Sequence, residues 1–508
     1  MLTRLSLFLA HLRHSRWLIR LPFVDQHPIA VLAGAALLSA LIYQVVFVRS
    51  FNLIELYDQP LLDLKRVSQS DPWIVWKVAV AFAVLGGLYW LAWRAALKAR
   101  GRSAWLIVLG GAVVFGILLL FVFPYDAADV FDNILRGRIT AVYGFSPFQD
   151  VPDRFLADPF YPYMAWRHMT SLYGPGWEAT AGLAAKVAGD SVISNVLAAK
   201  LMLGAFLVGS IALTIAILRR IAPERALAGA LLLAWCPLIL HETIGMGHND
   251  IAMIFWVILA VWCLLNRRYT LTILALVVGA LFKYLPLMLV PLAGLIALRD
   301  LTAARARWRF LAVTVSATVG VILLISAPFL NGANVLNIDL HARLFASSVP
   351  AAIYFGLVPA LGEDTAGQVV GLAAIMLTAF FVLWQSLRAA RDRTDLSFTY
   401  AAFYMLMFYL LVTAPWFQHW YVIWPLVIAA LFPPSRPVWL AALFGTVAII
   451  KFFVITPLFL WDRLAPGTAA VELWFGPAIM AIPCAYAIFA AWRARSHRED
   501  GGSVTGIT

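Results

Sequence analysis

The chain has 508 residues, 63% of them hydrophobic and 13% charged, with a mean hydropathy of +0.86. A soluble protein of this length needs far more charge to cover its surface, so a soluble enzyme is excluded. The formal net charge of +12 suggests nucleic acid at first sight, but the positions of the charges point to a membrane instead.

The N-terminus carries Arg4, Arg13, Arg16 and Arg20. Its apolar stretch, Leu5 to Ala10, is too short for a signal peptide, and no small-residue cleavage site follows. Apolar runs of about 20 residues, the length a helix needs to cross the hydrocarbon core, then recur to the end. They predict spans over 28–48, 72–95, 104–123, 192–218, 226–241, 250–266, 269–282, 285–298, 309–329, 367–387, 396–414, 419–432, 437–456 and 472–492. The fold class is an all-α integral membrane protein of about 12–14 transmembrane helices. For 269–298, basic loops on both flanks favour a hairpin of two helices over one tilted helix. Residues 1–492 read as one polytopic domain. Residues 493–508 read as a cytoplasmic tail, disordered from Glu499. Cys236, Cys263 and Cys484 all lie inside apolar runs, where they read as packing residues rather than a disulfide or thiolate-metal set.

Lys and Arg set the orientation, because positive loops stay cytoplasmic. Every second loop is basic: Arg94/Lys98/Arg100/Arg102, Arg219/Arg220/Arg225, Arg267/Arg268, Arg299/Arg305/Arg307/Arg309 and Arg388/Arg391/Arg393, followed by Arg436 and the tail. Both termini are thereby expected in the cytoplasm of a multi-pass protein of the plasma (inner) membrane. Anionic inner-leaflet lipid accounts for the basic excess without nucleic acid. The longest outer loop, 124–190, is rich in aromatics and is expected to hold one or two helices along the interface. A second outer segment, 330–366, reads as partly helical.

Charges near a membrane are expensive, and each is a candidate functional group. The polar clusters all fall at the outer ends of spans: Asp126 and Asp129, His241-Glu242, Gly247-His248-Asn249-Asp250, Lys283-Tyr284, Asp339/His341/Arg343, and Gln418-His419-Trp420-Tyr421. Together they can line one outward-facing cavity. Asp126 or Asp129 suits a general base for a sugar hydroxyl, with a helix N-cap as the plain alternative. Three readings stay open for His248, Asn249 and Asp250: a helix cap, hydrogen bonds to a sugar, or ligation of a divalent cation. No metal ligand set is assigned, and no other cofactor is implied. Lys283, Arg343, Arg136 and Arg138 are the outer cations that can meet a phosphate, against snorkelling or a solvated helix face. His419 and Tyr421, beside Trp416 and Trp420, suit stacking on a sugar ring or an interfacial aromatic belt.

Asp129-Val130-Phe131, Arg136-Gly137-Arg138 and Tyr143-Gly144-Phe145-Ser146-Pro147-Phe148 resemble the first outer loop of bacterial C-class (GT-C) glycosyltransferases. Those enzymes transfer mannose or related sugars from polyprenyl phosphate. Tyr173-Gly174-Pro175-Gly176, Trp235-Cys236-Pro237-Leu238, Gly247-His248-Asn249-Asp250 and Phe282-Lys283-Tyr284-Leu285-Pro286 resemble later elements of the same family, so the resemblance covers about residues 120–430. Asp132-Asn133 stand where aromatics usually follow, and Trp235-Cys236-Pro237 replaces the usual Asn-Pro. The resemblance implies an inverting mannosyltransferase-like enzyme with Asp129, or second Asp126, as base. It implies a polyprenyl-phosphate sugar donor, an extracytoplasmic glycan or lipid acceptor, and a substrate site that includes Tyr173. A transporter or flippase for lipid-linked sugars, or a ligase for finished glycans, is the alternative. Transporters usually show internal repeats and broken mid-membrane helices, and no clear repeat is found here.

Overall fold

The computed structural model describes residues 21–329, 344–459 and 476–499. Among them the regular structure is helical, with two isolated β-bridges, Asn52 to Val122 and Ala346 to Trp416. The first half contains α1 (Pro28–Ile42), α2 (Ile74–Ala96), α3 (Arg102–Leu120), α4 (Asp129–Ala141), α5 (Pro175–Ala188), α6 (Val192–Ile221), α7 (Ala226–Ala234) and α8 (Pro237–Leu240). Then follow α9 (Asp250–Leu265), α10 (Tyr269–Ala280), α11 (Val290–Asp300), α12 (Ala304–Ser326), α13 (Val349–Leu361), α14 (Glu363–Arg391), α15 (Ser397–Phe408), α16 (Ile423–Ala429), α17 (Arg436–Ile450) and α18 (Gly476–Glu499).

The apolar runs resolve into two kinds of helix. Among the described residues, seven helical segments are long and apolar enough to cross a bilayer alone: Pro28–Val48, Ile74–Ala96, Arg102–Leu120, Val192–Ile221, Ala304–Phe329, Glu363–Arg391 and Arg436–Ile455. The others are shorter or broken. α7 and α8 form a pair bent by 48°. The break falls at Pro237, which lacks the N–H needed to continue a helix yet suits the first position of a new one. Every residue of α7 and α8 is buried, and α9 and α16 are buried along most of their length. Interrupted backbone is tolerated at membrane depth only where protein covers it. Residues 226–241 and 419–432, expected as plain spans, are thus broken elements enclosed by longer helices. On the outside, Leu324 of α12 and Phe380 of α14 are exposed, as surfaces that meet lipid must be.

One apolar core joins α1–α3, α6–α11 and α15–α17. Among the described residues, four π-helical turns occur in or at the ends of its helices: Tyr43–Val48, His241–Gly245, Tyr409–Thr413 and Lys451–Ile455. Such turns re-aim the side chains of a helix end. Phe47 and Phe453, from two of them, pack against the ring of His241 in a third. The long loop after α3 holds two α-helices, α4 and α5, packed together where Gly137 meets the backbone of Ala181. A Cβ at Gly137 would stand 2.6 Å from the Ala181 carbonyl carbon. Residues 330–343, and with them Asp339, His341 and Arg343, lie outside the described residues, as does the tail beyond Glu499.

Candidate active site

The segment that delivers Asp126 is held on three sides. Buried Lys200 of α6 donates to the carbonyls of Leu119 and Leu120, 3.4 Å each, and to that of Val122, which satisfies the open end of α3. Leu53 N–H donates to Phe121 O at 2.8 Å, and Phe123 N–H to Phe51 O at 2.6 Å. The Tyr125 ring stacks on Phe51 with centroids 3.7 Å apart, and its hydroxyl meets His241 Nε2 at 2.7 Å. The chain then turns through Asp126 into α4. The N-cap residue of α4 is Ala128, and no side chain caps it. Asp129 therefore begins the helix without capping it by a hydrogen bond, and its carboxylate is free to face the site. Its first-turn position also suits a negative charge.

Glu242 is the hub. It lies in the π-helical turn after α8 and is fully buried. His241 Nδ1 lies 2.6 Å from its Oε1, His419 Nε2 lies 3.1 Å from the same oxygen, and His248 Nδ1 lies 3.0 Å from its Oε2. His419 Nε2 also stands 2.8 Å from Asp126 Oδ2, and His248 Nε2 stands 3.9 Å from Asp129 Oδ2. Gly247 makes this possible. Its φ of +82° is one that other residues rarely adopt, and a Cβ there would meet Val130 at 2.7 Å. The imidazole of His248 stacks on Trp420, with centroids 3.8 Å apart.

A second cluster forms around Lys283, just past α10. Gly174 N–H donates to Phe282 O at 3.0 Å and Gly176 N–H to Leu281 O at 2.8 Å, which brings the loop before α5 onto this turn. Lys283 Nζ pairs with Asp250 Oδ2 at 2.8 Å and lies 5.3 Å from the ring centroids of both Tyr173 and Tyr421. Trp424 donates to the other Asp250 oxygen at 2.6 Å, and Tyr421 stacks on Trp424. Asp250 is the first residue of α9, but its carboxylate serves these partners; the N-cap residue is Asn249, buried and without a capping hydrogen bond.

Asp129 joins the two clusters electrically. Burial raises its carboxyl above the usual range; His248 and Lys283 pull it down, and Asp250 and Asp126 add to the rise. Its side chain is 23% exposed, so an incoming group can still reach it. One turn on, burial pushes Asp132 up to about 7, and in α5 burial pushes Glu178 up to about 7 against the bond from Ser171.

The structure thus brings together Asp126, Asp129, His248, Asp250, Lys283, Tyr173, His419 and Tyr421. Arg136 and Arg138 are elsewhere engaged. Arg136 donates to the carbonyls of Met169 and Trp166, at 2.9 and 3.2 Å. Arg138 is buried with Asp158 and reaches Gly189 O and Asp190. Both arginines hold the shape of the 124–190 loop. His168 is exposed and pairs with Asp153. Sequence reasoning noticed His241-Glu242 as a polar pair without giving it a role, and it passed over Tyr125 and Trp424. A Glu next to a His at the end of an apolar run is the signal that marked residue 242.

These features define a polytopic helical membrane protein with a polar, carboxylate-rich site built where helix ends and loops converge. Residues 31–299 match the model of the MptA_B family, described as alpha-(1->6)-mannopyranosyltransferase, N-terminal domain. The match spans more than half of the chain, which belongs to that family and is a membrane glycosyltransferase of the mannosyltransferase kind. The resemblance drawn from the loop motifs is thereby borne out. Comparison with curated proteins and with solved structures returned no significant match. The bent α7–α8 pair shows that a broken helix does not separate enzyme from transporter here; the family match does.

Proposed function

We propose that the protein transfers mannose from a polyprenyl-phosphate donor to a hydroxyl of an extracytoplasmic glycan or lipid, with inversion, and that Asp129 is the general base. The observation that carries this reading is the position of Asp129. It is a partly exposed carboxylate held between a histidine–glutamate network and a lysine flanked by tyrosines. The acceptor oxygen attacks the anomeric carbon, the bond from that carbon to the phosphate oxygen breaks, and polyprenyl phosphate leaves with the electron pair. Asp129 takes the hydroxyl proton, and its raised affinity for protons suits that task. Lys283 offsets charge growing on the leaving phosphate. His248, Asn249, Asp250 and the rings of Tyr173 and Tyr421 hold the sugar. An α-linked product formed with inversion requires a β-linked donor.

Two further features support the donor class and the orientation. An apolar cavity of about 760 Å³ lies among α2, α7, α16 and α17 and reaches Phe82, which packs edge-on against His241 at 5.0 Å. It suits an isoprenoid tail. Asp250 starts α9 at the site while Arg267 follows the other end, and α3 runs from Arg102 to the site; the basic loops therefore lie opposite the site, which supports an extracytoplasmic position for it. Asp129→Asn, purified and assayed with a polyprenyl-phosphate mannose donor, is expected to lose at least 100-fold in transfer rate, in line with the usual size of base catalysis. Full activity in Asp129→Asn and in Asp126→Asn would remove the general-base assignment.

A further inference from the structure

We propose that Asp126, Glu242 and His419 form a three-ligand site for a divalent first-row transition cation, Mn²⁺ or Zn²⁺. The three residues come from separate elements: the turn before α4, the π-helical turn after α8, and the short helical turn before α16. One ligand atom from each lies within 4.8 Å of the other two. His419 Nε2 stands 2.8 Å from Asp126 Oδ2 and 3.1 Å from Glu242 Oε1. Ligands about 2.1 Å from a shared cation stand about 3–3.5 Å from one another, so these two separations are close to those of coordination.

The hydrogen-bond pattern is the second observation. His419 is 1% exposed, and neither of its ring nitrogens makes an aligned hydrogen bond, although two carboxylate oxygens lie close to Nε2. Asp126 Oδ2 is likewise without one. Buried polar atoms are nearly always satisfied, and here one imidazole nitrogen and two carboxylates converge on a common centre through close contacts that lack hydrogen-bond alignment. The surroundings hold the ligands from outside: His241 lies against Glu242, and Tyr125 fixes the far nitrogen of His241. This is the support that ligating side chains need. Two oxygens and one imidazole, with no thiolate, suit Mn²⁺ or Zn²⁺ better than Ca²⁺ or a soft ion. Three protein ligands also leave open positions at which a phosphate oxygen can bind.

The test is metal binding itself, which does not depend on mannosyl transfer and so fails or succeeds apart from the function proposed above. Untagged full-length protein in detergent is stripped with a chelator, then titrated separately with Zn²⁺ and Mn²⁺, and bound metal is counted by elemental analysis after dialysis. One equivalent of at least one of the two ions is expected. His419→Ala and Asp126→Asn should each weaken binding at least tenfold, and His168→Ala should not. If Mn²⁺ binds, pulsed EPR should show a nitrogen coupling that His419→Ala removes. Asp126→Asn is nearly isosteric and decides the matter should His419→Ala fail to fold. Absence of a stoichiometric ion, or binding that survives Asp126→Asn in folded protein, overturns the site.

Discussion

Replacing Asp132 by Asn should make the protein more stable, by an amount that grows with pH. Asp132 is 5% exposed; one oxygen has no hydrogen bond, and the other receives a long contact from Trp166 N–H at 3.5 Å. Arg136, one turn away, directs its guanidinium to two loop carbonyls instead. Burial therefore pushes the carboxyl from 3.8 to about 7. An acid whose folded value is raised contributes most below its unfolded value, and that contribution is lost as pH climbs towards the folded value. The rise is worth at most about 4 kcal/mol above pH 7, and about 2 kcal/mol at pH 5, at 1.36 kcal/mol per pH unit. Asn carries no proton to lose, so its advantage over Asp should widen by up to about 3 kcal/mol between pH 5 and pH 8. The assay is reversible unfolding of both proteins in mixed micelles at pH 5, 6, 7 and 8. A constant offset between the chains is of no consequence, since the amide alters hydrogen bonding at every pH. Parallel curves would refute the reasoning, because the carboxyl would then have to titrate alike in folded and unfolded chains.

Gly137→Ala should force α4 and α5 apart, since the new methyl would sit 2.6 Å from a backbone carbon. Overpacking of this kind costs about 1–3 kcal/mol. Gly182→Ala, with 3.3 Å to the Gly137 oxygen, should be milder, and thermal unfolding of the two variants checks the order. Because α4 begins at Asp129, Gly137→Ala should also slow transfer. Lys283→Met keeps the length of the side chain but leaves Asp250 with Trp424 alone. It should raise the KM for the lipid donor about tenfold or more, a loss near 1.4 kcal/mol, and an unchanged KM would detach Lys283 from the phosphate.

The membrane class and the long helices were legible in the residues because a bilayer demands long, uncharged runs. Pro28–Val48 and Ile74–Ala96 fall almost where hydropathy puts them. The interruptions were less legible. Pro237 is visible in the sequence, but whether a proline kinks a span or starts a buried half-helix depends on what covers it. The members of the site stood out because an ionisable group beside an apolar run is rare. Their partners did not stand out: nothing near residue 242 announces that His419 will reach it. Arg136 and Arg138 show the opposite failure. Their side chains read as free cations until the loop carbonyls and Asp158 that occupy them are in place.

The matched family segment ends at residue 299, yet His419, Trp420, Tyr421 and Trp424 all close over groups that lie before it. Trp424 and Asp250 meet across 174 positions of chain. During synthesis the first-made helices must therefore carry Glu242, Asp126 and Asp250 incompletely paired until residues 419–424 arrive. A chain cut after α11 would keep the family signature and lose the pocket wall. The walls of the candidate site are in this sense complete only once residues 419–424 have joined the bundle.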